Sequence, residues 1–273
     1  MKKNTTRALI LVLALTLTFA LAGCGSKETG SDTTIKVGAT PAPHAEVLEV
    51  IVDDLAEEGY TLEIVEYNDY ILPNKAVTEG ELDANYYQHI SYLENYNEEN
   101  GTDLVSAGSI HYEPFALYAG KTSSLDALAD GAQIAVPNDG TNEGRALKLL
   151  EDEGLITLDP DAGFLATKLD VVENPHNIEI VEMEAAQLPR VLSDVDMAVI
   201  NGNYAIDAGL DLADALAVEA DDSDAAQTYA NVVVTANGNE NSDKIKALVA
   251  ALSSDKVKQF MEETYGGAVV PLF

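Results

Sequence analysis

Cysteine and basic residues are scarce in this chain of 273 residues. Only 15 lysines and arginines stand against 47 aspartates and glutamates, and the formal net charge is -32. Such a chain repels a phosphate backbone and offers no basic stripe for one, which excludes nucleic acid as a partner. The same charge argues against docking of the folded surface on anionic lipid and favours a soluble monomer.

Sequence motifs for catalysis and nucleotide binding are also missing. The chain has no G-x-S-x-G, P-loop, G-x-G-x-x-G or H-E-x-x-H motif. His44, His89, His111 and His176 are far apart and show no metal-ligand spacing. We therefore expect no catalytic residue, no metal site and no cofactor. Two alternatives stay open, a hydrolase that uses a pair of carboxylates and a metal-binding receptor or adhesin that uses His89.

The N-terminus has the features of a lipoprotein signal peptide. A basic start is followed by an uncharged apolar stretch, residues 8–22, which is shorter than the ~20 residues of a comfortable membrane span. It ends in Leu-Ala-Gly-Cys, which resembles the lipobox of bacterial lipoproteins. We predict that residues 1–23 are removed, that Cys24 carries a lipid such as palmitate, and that 24–34 form a flexible tether. Acylation of Cys24 leaves no thiol for a disulfide, a metal or a nucleophile. A plain membrane anchor beside a buried thiol is the alternative.

From residue 35 onwards, short apolar runs alternate with amphipathic helical segments, which predicts an α/β fold with a parallel or mixed sheet covered by helices. Pro114 interrupts a β-rich stretch, and this places the stretch at a sheet edge or a crossing point. The length fits two similar halves. Strands are predicted over 35–38, 62–67, 82–86, 133–136, 178–182, 195–200 and 230–235, with a β-rich stretch over 110–119 and a last apolar pair at 269–270. Helices are predicted over 44–58, 73–79, 89–99, 143–153, 242–252 and 255–263.

One loop carries residues suited to a ligand carboxylate. The segment 136–142 (VPNDGTN) leads into the helix predicted over 143–153, with Arg145 in its first turn. A helix N-terminus offers free N–H groups and the positive end of the dipole, and an arginine adds a bidentate fork. Arg145 is one of only two arginines after the signal peptide. The alternative is that Asp139 and Glu143 neutralise Arg145 at the surface.

Tyrosines and side-chain amides are dense between residues 67 and 96. Because tyrosine is part apolar plate and part hydrogen-bonding group, this mixture is typical of a small-ligand pocket. Tyr92 and Tyr96 lie four residues apart on a predicted helix, which is more simply explained by helix packing. The tyrosines are Tyr67, Tyr70, Tyr86, Tyr87, Tyr92 and Tyr96, with Asn68, Asn74, Asn85, Gln88 and His89 among them.

An ordered set of short motifs resembles the NlpA family, the methionine-binding lipoproteins of ABC importers. Each motif is weak alone, but together they run in order from about residue 35 to the end of the chain. They are YNDY at 67–70, PN at 73–74, DAN at 83–85, QH at 88–89, VPND at 136–139, DVVENP at 170–175, QLPR at 187–190 and GGAV at 266–269.

The resemblance implies a binding protein and not an enzyme. The implied protein has the two-lobed, type II fold of periplasmic binding proteins. It is expected to close on its ligand and to deliver the ligand to the permease and ATPase subunits of an importer. We expect residues 35–115 plus 232–273 to form one lobe and 116–231 the other. The implied location is outside the cytoplasm, anchored to the cell membrane by lipid on Cys24. L-Methionine is the implied ligand, with D-methionine, a methionine-containing dipeptide or a metal ion as alternatives.

The resemblance also assigns roles to particular residues. Tyr87 stands where phenylalanine is common in the family, and Gly202 and Asn203 follow Asn201 where many relatives have two threonines. These departures leave room for a ligand other than methionine. The implied roles are Arg145 for the ligand carboxylate, Asn201 and Asn231 for the polar end, and Tyr70, Tyr87 and His89 around the thioether.

Overall fold

The computed structural model describes residues 33–220 and 227–273. The predicted signal peptide, Cys24 and most of the predicted tether lie outside these residues. Thr34, which was predicted to end the tether, instead begins the first strand. In the described part of the chain, no helix is both long and apolar enough to cross a membrane.

Two mixed sheets organise the described residues. The first has six strands in the order β13-β4-β12-β3-β1-β2, and the second has five in the order β11-β5-β10-β6-β9, while β7 and β8 form a small hairpin-like pair. The strands are β1 Thr34–Ala39, β2 Thr61–Glu66, β3 Ala84–His89, β4 Val105–Tyr112, β5 Ala116–Ala119, β6 Gln133–Pro137, β7 Thr157–Leu158, β8 Val171–Glu173, β9 Glu179–Met183, β10 Met197–Ile200, β11 Ala217–Val218, β12 Ala230–Thr235 and β13 Val270–Pro271.

Helices pack against both sheets. Ile35 and Val37 of β1 join a core with the helices nearest both ends of the chain. Leu147 and Leu150 of α5 join a second core with β6 and β10. The helices are α1 Glu46–Val50, α2 Val52–Glu57, α3 Leu72–Thr78, α4 Ile90–Asn100, α5 Gly140–Asp152, α6 Leu188–Val191, α7 Gly202–Asp207, α8 Asp243–Leu252 and α9 Asp255–Tyr265.

The chain passes from the first sheet to the second between β4 and β5, and returns between β11 and β12. Pro114 lies in the first passage, so its prediction as a crossing point is confirmed. The helix predicted over 44–58 is wrong as one piece, because the chain breaks at Ile51 and starts with a tight turn, Pro41–Ala45, in which Ala42 is extended. Helix α7 was not predicted.

Candidate ligand-binding site

A cavity lies where strand ends from both sheets meet. The first sheet contributes the ends of β3 and β12, and the second contributes the helices that follow β6 and β10. This is where open α/β sheets usually bind ligands. All six residues predicted for the ligand line the cavity. The lining consists of Tyr70, Tyr87, Gln88, His89, Tyr92, Glu113, Asn142, Arg145, Asn201, Gly202, Asn203 and Asn231.

Helix α5 carries Arg145, but it does not begin where the sequence predicted. It starts at Gly140, and the Asp139 side chain caps it by accepting the Asn142 N–H at 3.0 Å. Arg145 therefore lies in the second turn. The role of the helix N-terminus in holding a ligand carboxylate stays a prediction, and the Asp139 carboxylate that caps this end counts against it.

Arg145 is buried, with 5% of its surface exposed. Its Nε donates to Glu219 Oε1 at 2.8 Å, its Nη2 donates to the other oxygen of Glu219, and Nη2 also donates to the backbone carbonyl of Glu113 at 2.9 Å. The guanidinium lies 4.1 Å from the centre of the Tyr229 ring. Burial acts to lower the pKa of Arg145, but the Glu219 charge and hydrogen bonds more than offset it, so the net shift is upward. The partner is thus Glu219, and the alternative, surface neutralisation of Arg145 by Asp139 and Glu143, is wrong.

The side-chain amides around the cavity are linked to one another. Asn142 Oδ1 accepts from Asn201 Nδ2 at 2.9 Å and is bonded to His89 Nε2 at 3.2 Å. Two buried amide atoms, Asn201 Oδ1 and Asn203 Nδ2, have no hydrogen-bond partner among the described residues. Buried polar groups are nearly always paired, so an unpaired acceptor and an unpaired donor on the cavity wall are groups available to a ligand. The sequence indicated Asn201 but not Asn142.

Three tyrosines, Tyr70, Tyr87 and Tyr92, form what we call the aromatic end of the cavity wall, and Arg145, Glu113 and the amides form its polar end. The ring centres of Tyr70 and Tyr87, and those of Tyr70 and Tyr92, are 5.8 Å apart. The hydroxyls of Tyr87 and Tyr92 both donate to the backbone carbonyl of Tyr70, at 2.8 and 3.1 Å, and the Tyr70 hydroxyl donates to Asn203 Oδ1. Burial raises the pKa of all three. Tyr92 thus lines the cavity, and the simpler explanation by helix packing with Tyr96 does not account for this position.

His89 ends β3 and caps α4. Its Nδ1 accepts the Tyr92 N–H at 3.1 Å, and its Nε2 faces Asn142 Oδ1. Burial, helped by the nearby charge of Arg145, lowers the pKa of His89 to about 3. His89 is thus a neutral hydrogen-bond donor between the polar and the aromatic ends of the cavity.

A cluster of two histidines and a glutamate lies at the polar end of the cavity, and the spacing of these residues in the sequence did not predict it. Ligand atoms of His44, His111 and Glu113 lie within 4.8 Å of one another, so these are the residues that could hold a metal. Each histidine nitrogen already has a hydrogen-bond partner: Thr40 and Asn231 for His44, and Tyr86 and Glu113 for His111. Burial lowers the pKa of His44 to about 4. The arrangement is that of a hydrogen-bond network.

Comparison with known proteins agrees with this geometry. The profile of the NlpA lipoprotein family matches residues 35–273. The D-methionine-binding lipoprotein MetQ of Salmonella typhimurium is 45% identical, with 94% of each chain covered. The methionine-binding lipoprotein MetQ of Bacillus subtilis is 42% identical, over 100% of this chain and 99% of that protein. A nutrient-binding protein from Burkholderia cenocepacia bound to methionine has a TM-score of 0.84 and 43% identity, covering 88% of this chain and all of that chain.

The solved structures confirm the predicted α/β fold class with two lobes. The motifs quoted from the sequence, the cavity between the two sheets and the full-length similarity all lead to one assignment. The chain belongs to the NlpA lipoprotein family.

Proposed function

We propose that this protein is the substrate-binding lipoprotein of an ABC importer and that it binds methionine as a zwitterion in the cavity. The observation that carries the proposal is the pair of unpaired buried amide atoms, Asn201 Oδ1 and Asn203 Nδ2, on a wall that also presents Arg145. An acceptor, a donor and a cation together match the ammonium and carboxylate groups of an amino acid.

The charged groups of the wall support a ligand with both charges at one end. Arg145 Nη2 contacts the backbone of Glu113, and the Glu113 side chain also lines the cavity. Arg145 suits the ligand carboxylate, and Glu113 suits the ammonium group. Because the two residues adjoin, they fit groups attached to one carbon, as in an α-amino acid, better than the separated termini of a dipeptide.

The aromatic end supports a long apolar side chain. Tyr70, Tyr87 and Tyr92 direct their hydroxyls to protein acceptors and leave ring surface for the ligand. A thioether against aromatic rings gains roughly 0.3 to 1.5 kcal/mol per contact. The names of the relatives, which include methionine-binding and D-methionine-binding lipoproteins, support the same ligand.

We further propose the assembly around this site. One lobe consists of residues 35–115 plus 232–273 and the other of 116–231, a division supported by the strand membership of the two sheets, with β12 starting just before the boundary. Closure of the lobes traps the ligand. The protein is a monomer outside the cytoplasm, anchored by lipid on Cys24, and it delivers ligand to permease and ATPase subunits. A structure of one relative is the substrate-binding protein of a methionine transporter.

Native mass spectrometry of the protein, purified from membranes without unfolding, tests the ligand. We expect a bound mass equal to methionine, and a rise in melting temperature when excess methionine is added, because any ligand of the folded state stabilises it. L-Methionine, D-methionine, a glycyl-methionine dipeptide and zinc are compared side by side in the thermal assay. A protein that carries no bound ligand and gains no stability from either methionine isomer would refute the proposal. A response to the dipeptide or to zinc alone would identify that compound as the ligand instead of methionine.

A further inference from the structure

Behind the cavity wall, a buried chain of hydrogen bonds ends on the Glu113 carboxylate. The Tyr86 hydroxyl is bonded to His111 Nδ1, and His111 Nε2 is bonded to Glu113 Oε1 at 2.7 Å. Tyr86 and His111 are fully buried and do not line the cavity. Neither residue can touch a ligand there, so a role in binding has to act through Glu113.

We propose that Tyr86 and His111 are positioning residues that fix the Glu113 carboxylate where it selects a ligand with a free ammonium group. This inference rests on the proposed function and deepens it, because it names the group of the ligand that the chain of hydrogen bonds serves.

The direction of the hydrogen bonds supports this role. An ionised carboxylate only accepts, so His111 donates from Nε2 to Glu113. In the neutral ring, Nδ1 then accepts the Tyr86 proton, and burial raises the pKa of Tyr86 well above its usual range, so this hydroxyl keeps its proton. All donors therefore point toward Glu113. Glu113 also accepts the backbone N–H of Asn203, at the start of α7.

Packing also restricts Glu113. A Cβ added at Gly202 would lie 2.8 Å from both Cβ and Oε2 of Glu113, so the carboxylate fits closely against the backbone of α7. Only 6% of Glu113 is exposed. A carboxylate held on one side by His111 and on the other by the backbone at residues 202 and 203 has little freedom to turn away from the cavity.

The charged and titratable groups around Glu113 favour its ionised form. His44 Nε2 lies 3.5 Å from Glu113 Oε1, and Arg145 donates to the Glu113 backbone. Burial acts to raise the pKa of Glu113, but the hydrogen bonds from His111 and from the Asn203 N–H oppose burial, and the net shift is downward. A buried anion with fixed donors on its protein side is matched by a cation on its cavity side.

The experiment compares two ligands, methionine and 4-(methylthio)butanoate, which has the same thioether and carboxylate but no ammonium group. Their dissociation constants are measured by calorimetry for the wild-type protein and for His111→Leu, Tyr86→Phe and His111→Gln. We expect His111→Leu to weaken methionine binding about tenfold and Tyr86→Phe about threefold, in line with hydrogen bonds to charged groups. Binding of the des-amino compound should change less than about twofold, and His111→Gln, which keeps a donor, should restore most of the affinity.

Tyr265→Phe is the matched control, because the Tyr265 hydroxyl also bonds a carboxylate, that of Glu46, away from the cavity. It should leave both affinities unchanged. Equal losses for the two ligands in His111→Leu would overturn the inference, since they would indicate general damage to the pocket. The inference would also be overturned if His111→Leu and Tyr86→Phe both left methionine binding unchanged. Stoichiometric zinc binding that His111→Leu abolishes would overturn it as well. A wild-type protein that binds neither compound would instead refute the proposed function, and the inference with it.

Discussion

The two ends of the cavity are built on opposite principles. At the polar end, Arg145 and Glu113 are buried charges, and each is held by protein partners behind the wall. At the aromatic end, Tyr70, Tyr87 and Tyr92 are neutral. The hydroxyls of Tyr87 and Tyr92 donate to the Tyr70 carbonyl, and the Tyr70 hydroxyl donates to Asn203 of a distant segment. The polar end therefore depends on several distant segments at once, whereas the aromatic end joins residues 70–92 to one distant segment.

This difference indicates which end of the cavity is more sensitive to substitution and to pH. A buried charge that loses its partner is costly, whereas a neutral ring that loses a hydroxyl still fills space. Substitutions and pH changes should therefore affect the polar end strongly and the aromatic end weakly.

The largest effect is expected from Arg145→Met. It leaves the Glu219 carboxylate, which is mostly buried, without its cation, so the free energy of unfolding should fall by about 3 to 5 kcal/mol. Methionine binding should weaken by at least about a hundredfold, because Arg145 is the only cation among the described residues of the cavity wall. Urea unfolding and calorimetry measure the two effects.

The double variant Arg145→Met with Glu219→Gln separates these effects. Removing the stranded charge should recover most of the stability, while binding stays lost. If binding returned together with stability, Arg145 would be a structural residue and not the partner of the ligand carboxylate.

The second largest effect is expected from acid, which should lower the free energy of unfolding through the buried histidines. The unfolded histidines take up a proton near pH 6.5, but folded His44 does so only near 4 and folded His89 near 3. Between these values the unfolded state binds more protons, so stability falls as the pH falls. From about pH 7.5 to about pH 4.5, we expect a loss on the order of 2 kcal/mol for each histidine.

Urea unfolding across this pH range measures the slope. His44→Gln should reduce the slope, and His176→Gln should not, because His176 is an exposed loop residue. The lowered pKa values of Glu113 and Glu219 act in the same direction below about pH 4.5, since these groups favour the folded state only while ionised. Stability that stays level between about pH 7 and 4.5 would contradict the burial of neutral histidines.

A smaller effect is expected from Gly202→Ala at the polar end. The added Cβ would meet Glu113 Cβ and Oε2 at 2.8 Å, so either α7 or the carboxylate has to move. Overpacking of this kind costs about 1 to 3 kcal/mol, and methionine binding should weaken with it. Gly140→Ala is the control, because the nearest atom to its Cβ would be 3.7 Å away, and it should leave stability and binding unchanged. Equal behaviour of the two variants would show that Glu113 is not held by this contact.

The sequence predicted well those features that depend on neighbouring residues. Most strands were found within a few residues, since β1 and β12 are short, apolar and well bounded. Arg145 and the tyrosines stood out because arginine is rare here and tyrosine is locally dense. The helix start at Gly140 was missed, because Asp139 was not considered as its cap.

Contacts between residues far apart in the sequence could not be predicted in the same way. His44 meets residues 111 and 231 only after β12 has inserted between β3 and β4, and no spacing in the sequence encodes that pairing. Glu219 is one of many acidic residues, and only the pairing of β11 with β5 places it on Arg145. Networks that join separate crossings of the chain depend on topology, which local patterns do not specify.

The smallest effect is expected from Tyr87→Phe at the aromatic end. The sequence raised the concern that this hydroxyl faces the ligand, but it donates to the Tyr70 carbonyl. Its loss should cost about 1 kcal/mol of stability, and because Tyr92 also donates to that carbonyl, methionine affinity should change less than about threefold. Tyr87→Ala, which removes the ring, should weaken binding much more. A large change in the preference of Tyr87→Phe between methionine and a more polar amino acid would show that the hydroxyl does reach the ligand, and that the aromatic end is less passive than its geometry indicates.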